Sequence, residues 1–385
     1  MNRRPVHWQD RTLESLATYL NGFSFKPRHW GDEGLPIIRI RELLDESVEP
    51  DSYNGVEAEA FKINDGDLIF SWSATLAALI WNRGPALLNQ HLFKVTPSQD
   101  VDIRFLNHLL NANLNALASR SHGTTMKHIT RGDLASYSVL MPPLDEQRRI
   151  AEMLDSLDAE VRVTRKVVQK LKQAREGVLS RFIQAIPHNS FRPLSDLCSA
   201  DICYGIVQSG PYVPDGIPVL AIRDLQGDFE SSLHRTSPYI ERRYRRSRVS
   251  AGDVLLSIKG TIGRVGVVPG HYQGNISREI ARLRFTSAVD PSFACQYLLS
   301  QQAQRRLDLA VVGTTRAEVS IHVLKRFEFP APDVEVQRRL VSGTRKVNQQ
   351  INSEEKIIEK LQGLRQGLAM DLLTGRVRMP VGAAS

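Results

Sequence analysis

The sequence predicts an α+β chain in which two pseudo-symmetric globular segments are joined by two long antiparallel coiled-coil helices. The first observation is a long helical pattern that starts at Pro142-Pro143-Leu144-Asp145-Glu146-Gln147-Arg148-Arg149-Ile150 and runs to Ile183. The second is its return 190 positions later, from Pro332 through Gln337-Arg338-Arg339-Leu340 to Leu373. The third is that the segments before the two helices echo each other. An internal repeat governs the fold and has to be settled before local motifs are read.

Segment one, residues 1–143, mixes short strand patterns with turns. Leu35–Ile40 reads as a strand, and Asn64-Asp65-Gly66-Asp67 as a turn feeding the apolar run Leu68-Ile69-Phe70. Asn82-Arg83-Gly84-Pro85 is a second turn, and the alternation from Asn89 to Val95 reads as another strand. From Val101 to Ser119 the apolar spacing becomes helical, with Phe105, Leu106, Leu109, Leu110, Leu114 and Leu117 on one stripe.

The first spacer, residues 144–186, places Ile150, Leu154, Leu157, Val161, Val168, Leu171, Val178 and Phe182 in a heptad seam broken by Thr164 and Arg175. Asp145 and Glu146 suit a helix N-terminus, and Pro187 ends the pattern. At ~1.5 Å per residue such a helix is about 50 Å long, and so narrow a seam demands a partner helix.

Segment two, residues 187–332, replays segment one. Ile217–Leu225 echoes Leu35–Leu43, Gly252-Asp253-Val254-Leu255-Leu256-Ser257 echoes Gly66–Ser71, and Gly313-Thr314-Thr315 echoes Gly123-Thr124-Thr125. The offset drifts from 182 to 186 to 190, so insertions fall inside the segment, as loops would. The last stretch, residues 333–385, repeats the spacer at a constant offset, with Leu340, Val347, Ile351, Ile358, Leu361, Leu368 and Leu372 in the seam. Its polar breaks are Thr344, Glu354 and Arg365. A register kept without insertion means that both helices meet similar surroundings. They pack on each other or each pairs with another chain.

Composition narrows the function. The net charge is +8, which makes an acidic partner plausible, but its distribution is uneven. Residues 1–143 are net −2, residues 144–186 +2, residues 187–332 +5 and residues 333–385 +3. No apolar run is long enough to cross a membrane, and the N-terminus lacks the apolar stretch of a secretory leader. The three cysteines, Cys198, Cys203 and Cys295, fit neither a zinc site nor a disulfide framework, and read as thiols in a reducing cytoplasm.

No catalytic box emerges. A Walker loop, a metal-binding His-Glu-x-x-His helix and the Asn/Asp-Pro-Pro-Tyr/Phe box of amino-methyltransferases are all missing. Glu354-Glu355-Lys356 matches a nuclease E-x-K only superficially, because it lies on the seam pattern of a helix. Catalytic and metal-ligating residues are therefore predicted to be none.

The strongest local feature is Arg242-Arg243-Tyr244-Arg245-Arg246-Ser247-Arg248. Five arginines in seven residues repel one another unless something anionic answers them. Phosphate contact with a base-edge fork is one reading; a solvated or intersubunit basic face is the other. The loops holding Thr124, Thr125 and Lys127 and holding Thr314, Thr315 and Arg316 offer hydroxyl, amide and cationic donors to phosphate or base, or serve as structural turns. Trp72 and Ser73 stand at a strand end that matches Lys259 and Thr261 in segment two, and Arg223 lies in the second strand echo. These residues, without Ser247 and Arg248, form the candidate DNA-binding set of sixteen.

Taken in their doubled order, these elements resemble the specificity subunit of type I restriction–modification systems. The residues that carry the resemblance are the Gly-Asp-Leu/Val strands, the Gly-Thr-Thr loops, and Pro142 to Ile150. Leu361-x-x-Leu364-Arg365-x-Gly367-Leu368 with Leu373-Thr374-Gly375 adds to them. Nearly the whole chain is covered. The resemblance implies two target-recognition domains, each reading one half of an asymmetric bipartite duplex site, with the helices as spacers. It implies docking of two modification (methyltransferase) subunits and of restriction/translocase subunits. S-adenosylmethionine, ATP and magnesium are then expected on those partners, and no cofactor or catalysis on this chain. Helices of about 50 Å would hold the readers apart by roughly one to one and a half DNA turns. The chain departs from the pattern at Val336, where copy one has Glu146, and at Ile183-Gln184-Ala185, where copy two has Leu-Thr-Gly. The competing reading is a non-catalytic coiled-coil adaptor that binds protein partners without DNA readout.

Overall fold

The structure, a computed structural model, describes residues 7–120, 128–311 and 317–379. They form two compact units. Unit one comprises the chain up to Thr164 and from Lys356 onward, and unit two comprises Arg165–Glu355. Each long helix, Leu144–Gln184 and Val334–Leu373, contributes one part to each unit.

Unit one holds a four-stranded antiparallel sheet in the order Ala17–Asn21, Leu92–Pro97, Leu68–Ser71, Ala77–Ile80. Beside it, Leu35–Ile38 pairs in parallel with Ala86–Leu88, flanked by Ser52–Tyr53 and Lys62–Ile63. Unit two repeats this. Cys203–Tyr204, Ile280–Leu283, Val254–Ser257 and Val265–Val267 form the antiparallel sheet. Ile217–Leu220 lies between His234–Thr236 and the parallel strand Asn275–Ile276. The duplicated Gly-Asp motif now has a cause. Gly66 and Gly252 have φ of +95° and +83°, a left-handed turn that favours glycine. The following Asp67 and Asp253 close the turn by accepting from the amides of Asn64 and Ser250, both at 2.8 Å. The strands that follow are wholly buried.

The alternating stretch at 89–95 is displaced from its predicted position. Asn89 makes a turn, accepting from the Leu92 amide through its carbonyl and from the His91 amide through its side chain, so the strand starts at Leu92. Asparagine favours that local turn over the ladder.

Each unit builds its core from chain pieces far apart in sequence. In unit one, Ile150, Ala151 and Leu154 from the central helix and Ala369, Leu372 and Leu373 from the C-terminal helix join Phe70, Phe93, Phe105 and Leu109. In unit two, Leu179 and Ile183 and then Leu340 join Leu256, Phe293 and Tyr297. The predicted seam is followed at Ile150, Leu154, Val161 and Val168 but fails at Val178, which is 46% exposed. There the helix end turns its next residue, Leu179, into the globular core.

The helix parts contact each other in antiparallel sense within each unit. In unit one the Arg365 guanidinium donates to both oxygens of Asp158 at 3.1 and 3.2 Å. In unit two Arg175 donates to Asn348 at 3.3 Å, and Lys172 pairs with Glu355 at 2.7 Å. The repeat offset converts Arg175 into Arg365 and Asn348 into Asp158. The two arginine breaks in the heptads therefore reach across to the other helix.

Both helices start on the same device. The Gln147 side chain accepts from the Asp102 amide at 2.8 Å and donates to the carbonyls of Asp100 and Pro142 at 3.0 and 2.9 Å. Gln337 repeats all three bonds with Asp290, Ala288 and Pro332, at 2.9, 2.8 and 2.6 Å. Each glutamine is buried, and each ties a long helix to the capped start of the helix that covers the sheet, where Asp102 and Asp290 accept from backbone amides.

Candidate nucleic-acid interface

The ends of the two buried strands converge on the same feature in both units. After Ser71 the chain continues through Trp72 and Ser73, and Ser73 bridges His128. The Ile129 amide donates to the Trp72 carbonyl at 2.9 Å. In unit two Lys259 bridges Glu318, and the Val319 amide donates to the Ile258 carbonyl at 2.8 Å. The chain thus returns from each Gly-Thr-Thr stretch onto the strand end. Thr124, Thr125 and Lys127, with Thr314, Thr315 and Arg316, lie outside the described residues.

The two strand ends differ chemically. In unit one the Trp72 ring is half-buried against Phe93 and between His91 and His128, at centroid distances of 5.7 to 5.8 Å. Its indole nitrogen is buried and has no acceptor among the described residues. Ser73 is buried, so its place in the bridge is a backbone role. In unit two Lys259 is neutralised by Glu318 at 2.7 Å, and Thr261 is exposed on the turn that follows.

The basic cluster is a six-residue 3-10 stretch, Arg242–Ser247, entered from a helical turn capped by Ser237. Its base is a buried polar network. Ser247 donates to Asn275 Oδ1 at 2.8 Å, and Asn275 donates to Glu241 at 3.2 Å and to the Tyr244 carbonyl at 3.0 Å. Arg248 forks onto the Glu241 carboxylate at 2.6 and 2.5 Å. The Arg248 hydrogen bond holds the Glu241 carboxyl below the usual glutamate range. Arg248, one of the five arginines counted from the sequence, is thereby committed to holding the turn. Arg242, Arg243, Arg245 and Arg246 remain exposed, with Tyr244 half-buried beneath them. Such a scaffolded set of forked cations suits phosphate oxygens.

Arg223 is exposed, its guanidinium beside the Asp224 carboxylate at 3.4 Å. Sequence reading missed Arg282. It is 5% exposed and shares a cavity lining with Arg245 and Arg246. The one signal in the sequence was the alternation Ile280-Ala281-Arg282-Leu283-Arg284, which sets two cations on one side of a strand. Among the described residues, no cluster of metal-ligating side chains occurs, and no helix is long and apolar enough to cross a membrane.

Comparison with known proteins places these features. The EcoBI specificity subunit of Escherichia coli is 29% identical over 96% of this chain and 85% of its own length. The MjaVIII specificity subunit of Methanocaldococcus jannaschii is 21% identical over 98% of this chain and 94% of its own. In fold, the chain is similar to the crystal structure of the type I restriction–modification S subunit from M. genitalium, with a TM-score of 0.58 at 14% identity, covering 98% of both chains. The type I restriction modification DNA specificity domain matches twice, over residues 5–173 and 189–363, and the chain belongs to that family.

Proposed function

We propose that residues 1–143 and 187–332 are target-recognition domains that read the two halves of an asymmetric duplex DNA site. Residues 144–186 and 333–385 are the spacers between them, and the chain bridges two modification subunits to which restriction/translocase subunits are added. S-adenosylmethionine, ATP and magnesium belong to those partners, and the assembly works in the cytoplasm.

The observation that carries this reading is a duplicated framework with unlike surfaces. The two units share strand order and helix-start clamps, yet present Trp72, His91 and His128 at one strand end and Lys259, Glu318 and Thr261 at the other. Two similar scaffolds with different readers suit an asymmetric, split target. The DNA contacts are assigned to Trp72, Ser73, Thr124, Thr125, Lys127, Arg223, Arg242, Arg243, Tyr244, Arg245, Arg246, Lys259, Thr261, Thr314, Thr315 and Arg316.

A methylome of the host should contain one asymmetric, split adenine-methylated motif that disappears when the gene is deleted. An unchanged pattern would reject the assignment. Replacing Arg242, Arg243, Arg245 and Arg246 together by alanine should weaken binding of the assembly to all sequences alike. It should also flatten the logarithmic salt dependence by ~0.9 for each DNA phosphate that the variant no longer neutralises. An unaltered slope would move the cluster to a protein interface.

A further inference from the structure

We infer that unit two carries a phosphoryl-anion pocket centred on Arg282, which rests on the DNA-recognition reading only for the identity of its occupant. The cavity, of about 560 Å³, is lined by Arg245, Arg246, Arg282, Arg284 and Lys325, with Asp201 and Cys203 beside them. The negative charges at hand are few and mostly engaged. Asp201 is an exposed rim residue that meets Lys325 at 3.3 Å, and Asp253 is held by Arg284 in a fork of two 2.7 Å bonds.

Arg282 is the residue without an answer. Among the described residues, its two terminal nitrogens donate only to the carbonyls of Arg248 and Asp201, at 3.2 and 3.0 Å. Its Nε is buried with no acceptor, and it makes no ion pair among the described residues. A guanidinium keeps its charge at any ordinary pH. Burying that charge unpaired is costly, and an anion in the cavity would offset the cost.

The repeat supplies the control. Lys94 occupies the place of Arg282, one strand over from Asp67, and pairs with it at 2.8 Å. In unit two the matching Asp253 is taken by Arg284, whose counterpart in unit one is the neutral Thr96. The substitution that adds Arg284 therefore leaves Arg282 free for an external anion. Tetrahedral oxyanions suit this set, because two or more guanidinium forks can address different oxygens of one phosphoryl group. The occupant is either a phosphodiester of bound DNA, gripped with Arg245 and Arg246 at the exposed rim, or a free phosphoryl ion.

The test uses the full-length chain. Inorganic phosphate should raise its melting temperature above that in chloride at matched ionic strength, by at least ~2 °C near saturation. Arg282→Met should abolish that difference. R245A/R246A changes exposed residues and leaves the fold intact; it should reduce the difference by at least about half. Equal melting in the two salts, or a phosphate shift that survives in R282M, overturns the pocket. In the assembled complex, a salt slope for DNA lowered by ~0.9 in R282M identifies a phosphodiester as occupant. An unchanged slope with the phosphate shift abolished identifies a free phosphoryl ion. If the wild-type complex binds no DNA site specifically while the phosphate shift is present, the recognition reading fails and the pocket stands.

Discussion

The six residues that follow Gly55 and the six that follow Glu241 occupy the same place in the repeat. Both are 3-10 stretches leading into a residue, Ile63 or Val249, that pairs with Ala86 or Gly274. In unit one they read Val56-Glu57-Ala58-Glu59-Ala60-Phe61, and in unit two Arg242-Arg243-Tyr244-Arg245-Arg246-Ser247. One backbone element thus presents acids in one copy and arginines in the other. By contrast, Gln147 and Gln337 make the same three bonds in both copies. The glutamine amide addresses two carbonyls and one backbone amide, which every sequence supplies, so the clamp survives extensive change around it. The exposed side chains at Arg242, Arg243, Arg245 and Arg246 carry no such backbone tie, so that surface is free to change sign. Backbone-directed contacts fix the frame, and side-chain-directed surfaces carry the difference between the readers.

If the clamps are equivalent, breaking them should cost the same. Gln147→Ala and Gln337→Ala each strand a buried amide and two buried carbonyls, a loss of about 3 kcal/mol. Urea unfolding of the full chain should show the two variants destabilised within ~1 kcal/mol of each other, the usual scatter for matched contacts. A large loss in one and almost none in the other would break the equivalence of the two helix starts.

The paired and unpaired strand cations should respond in opposite directions. Lys94→Met removes the partner of Asp67 and a bond to the Lys62 carbonyl, and should cost about 1–2 kcal/mol. Arg282→Met in chloride, with phosphate excluded, removes a buried charge that has no carboxylate. Its stability should match or exceed that of the unaltered chain, because an apolar side chain replaces an uncompensated ion. Equal destabilisation by both substitutions would mean that Arg282 is already answered within the fold.

Much of the frame was legible in the sequence because repetition amplifies weak motifs. A single Gly-Asp-Leu says little; its return with the offset of a loop insertion identifies the turn that glycine's positive φ now explains. The helix seam was readable as far as Val168. It failed at Val178 because a heptad describes helix against helix, whereas that end enters a globular core. The arginine cluster was visible as composition, but which arginine is structural was not. Arg248 is separated from its neighbours by Glu241, seven residues back, and only the fold brings that carboxylate to it. Arg282 was invisible for a related reason. Its meaning depends on Arg284 having claimed Asp253, a competition between residues 31 apart in sequence. The copy-one clasp in which Glu146 accepts from Trp8 and is forked by Arg378 was likewise hidden, since it joins the two ends of the chain to the central helix.

The smallest effect concerns the foot of the basic turn, for which unit one has only Gly55. Arg248 and Asn275 both favour ionised Glu241, so its carboxyl sits below the ordinary 4.5. The stabilisation from that lowered value is fully present above the ordinary value and is lost as pH falls through the folded one. Arg248 is 52% exposed, so solvent screens the pair, and the contribution is held to about 1 kcal/mol or less. Glu241→Gln should therefore flatten the decline of stability on acidification below 4.5 while leaving the same decline in unit one unaffected. Urea midpoints of the full chain and the variant across that range measure the difference. The comparison substitution Glu57→Gln, in the acidic turn of unit one, removes a charged acceptor whose hydrogen bond from the Tyr53 hydroxyl likewise holds the carboxyl below its ordinary value, but Glu57 is exposed. It should flatten the decline less than Glu241→Gln does. An equal or larger effect at Glu57 would show that burial of the carboxylate under the basic turn gives Glu241 no special role in holding it.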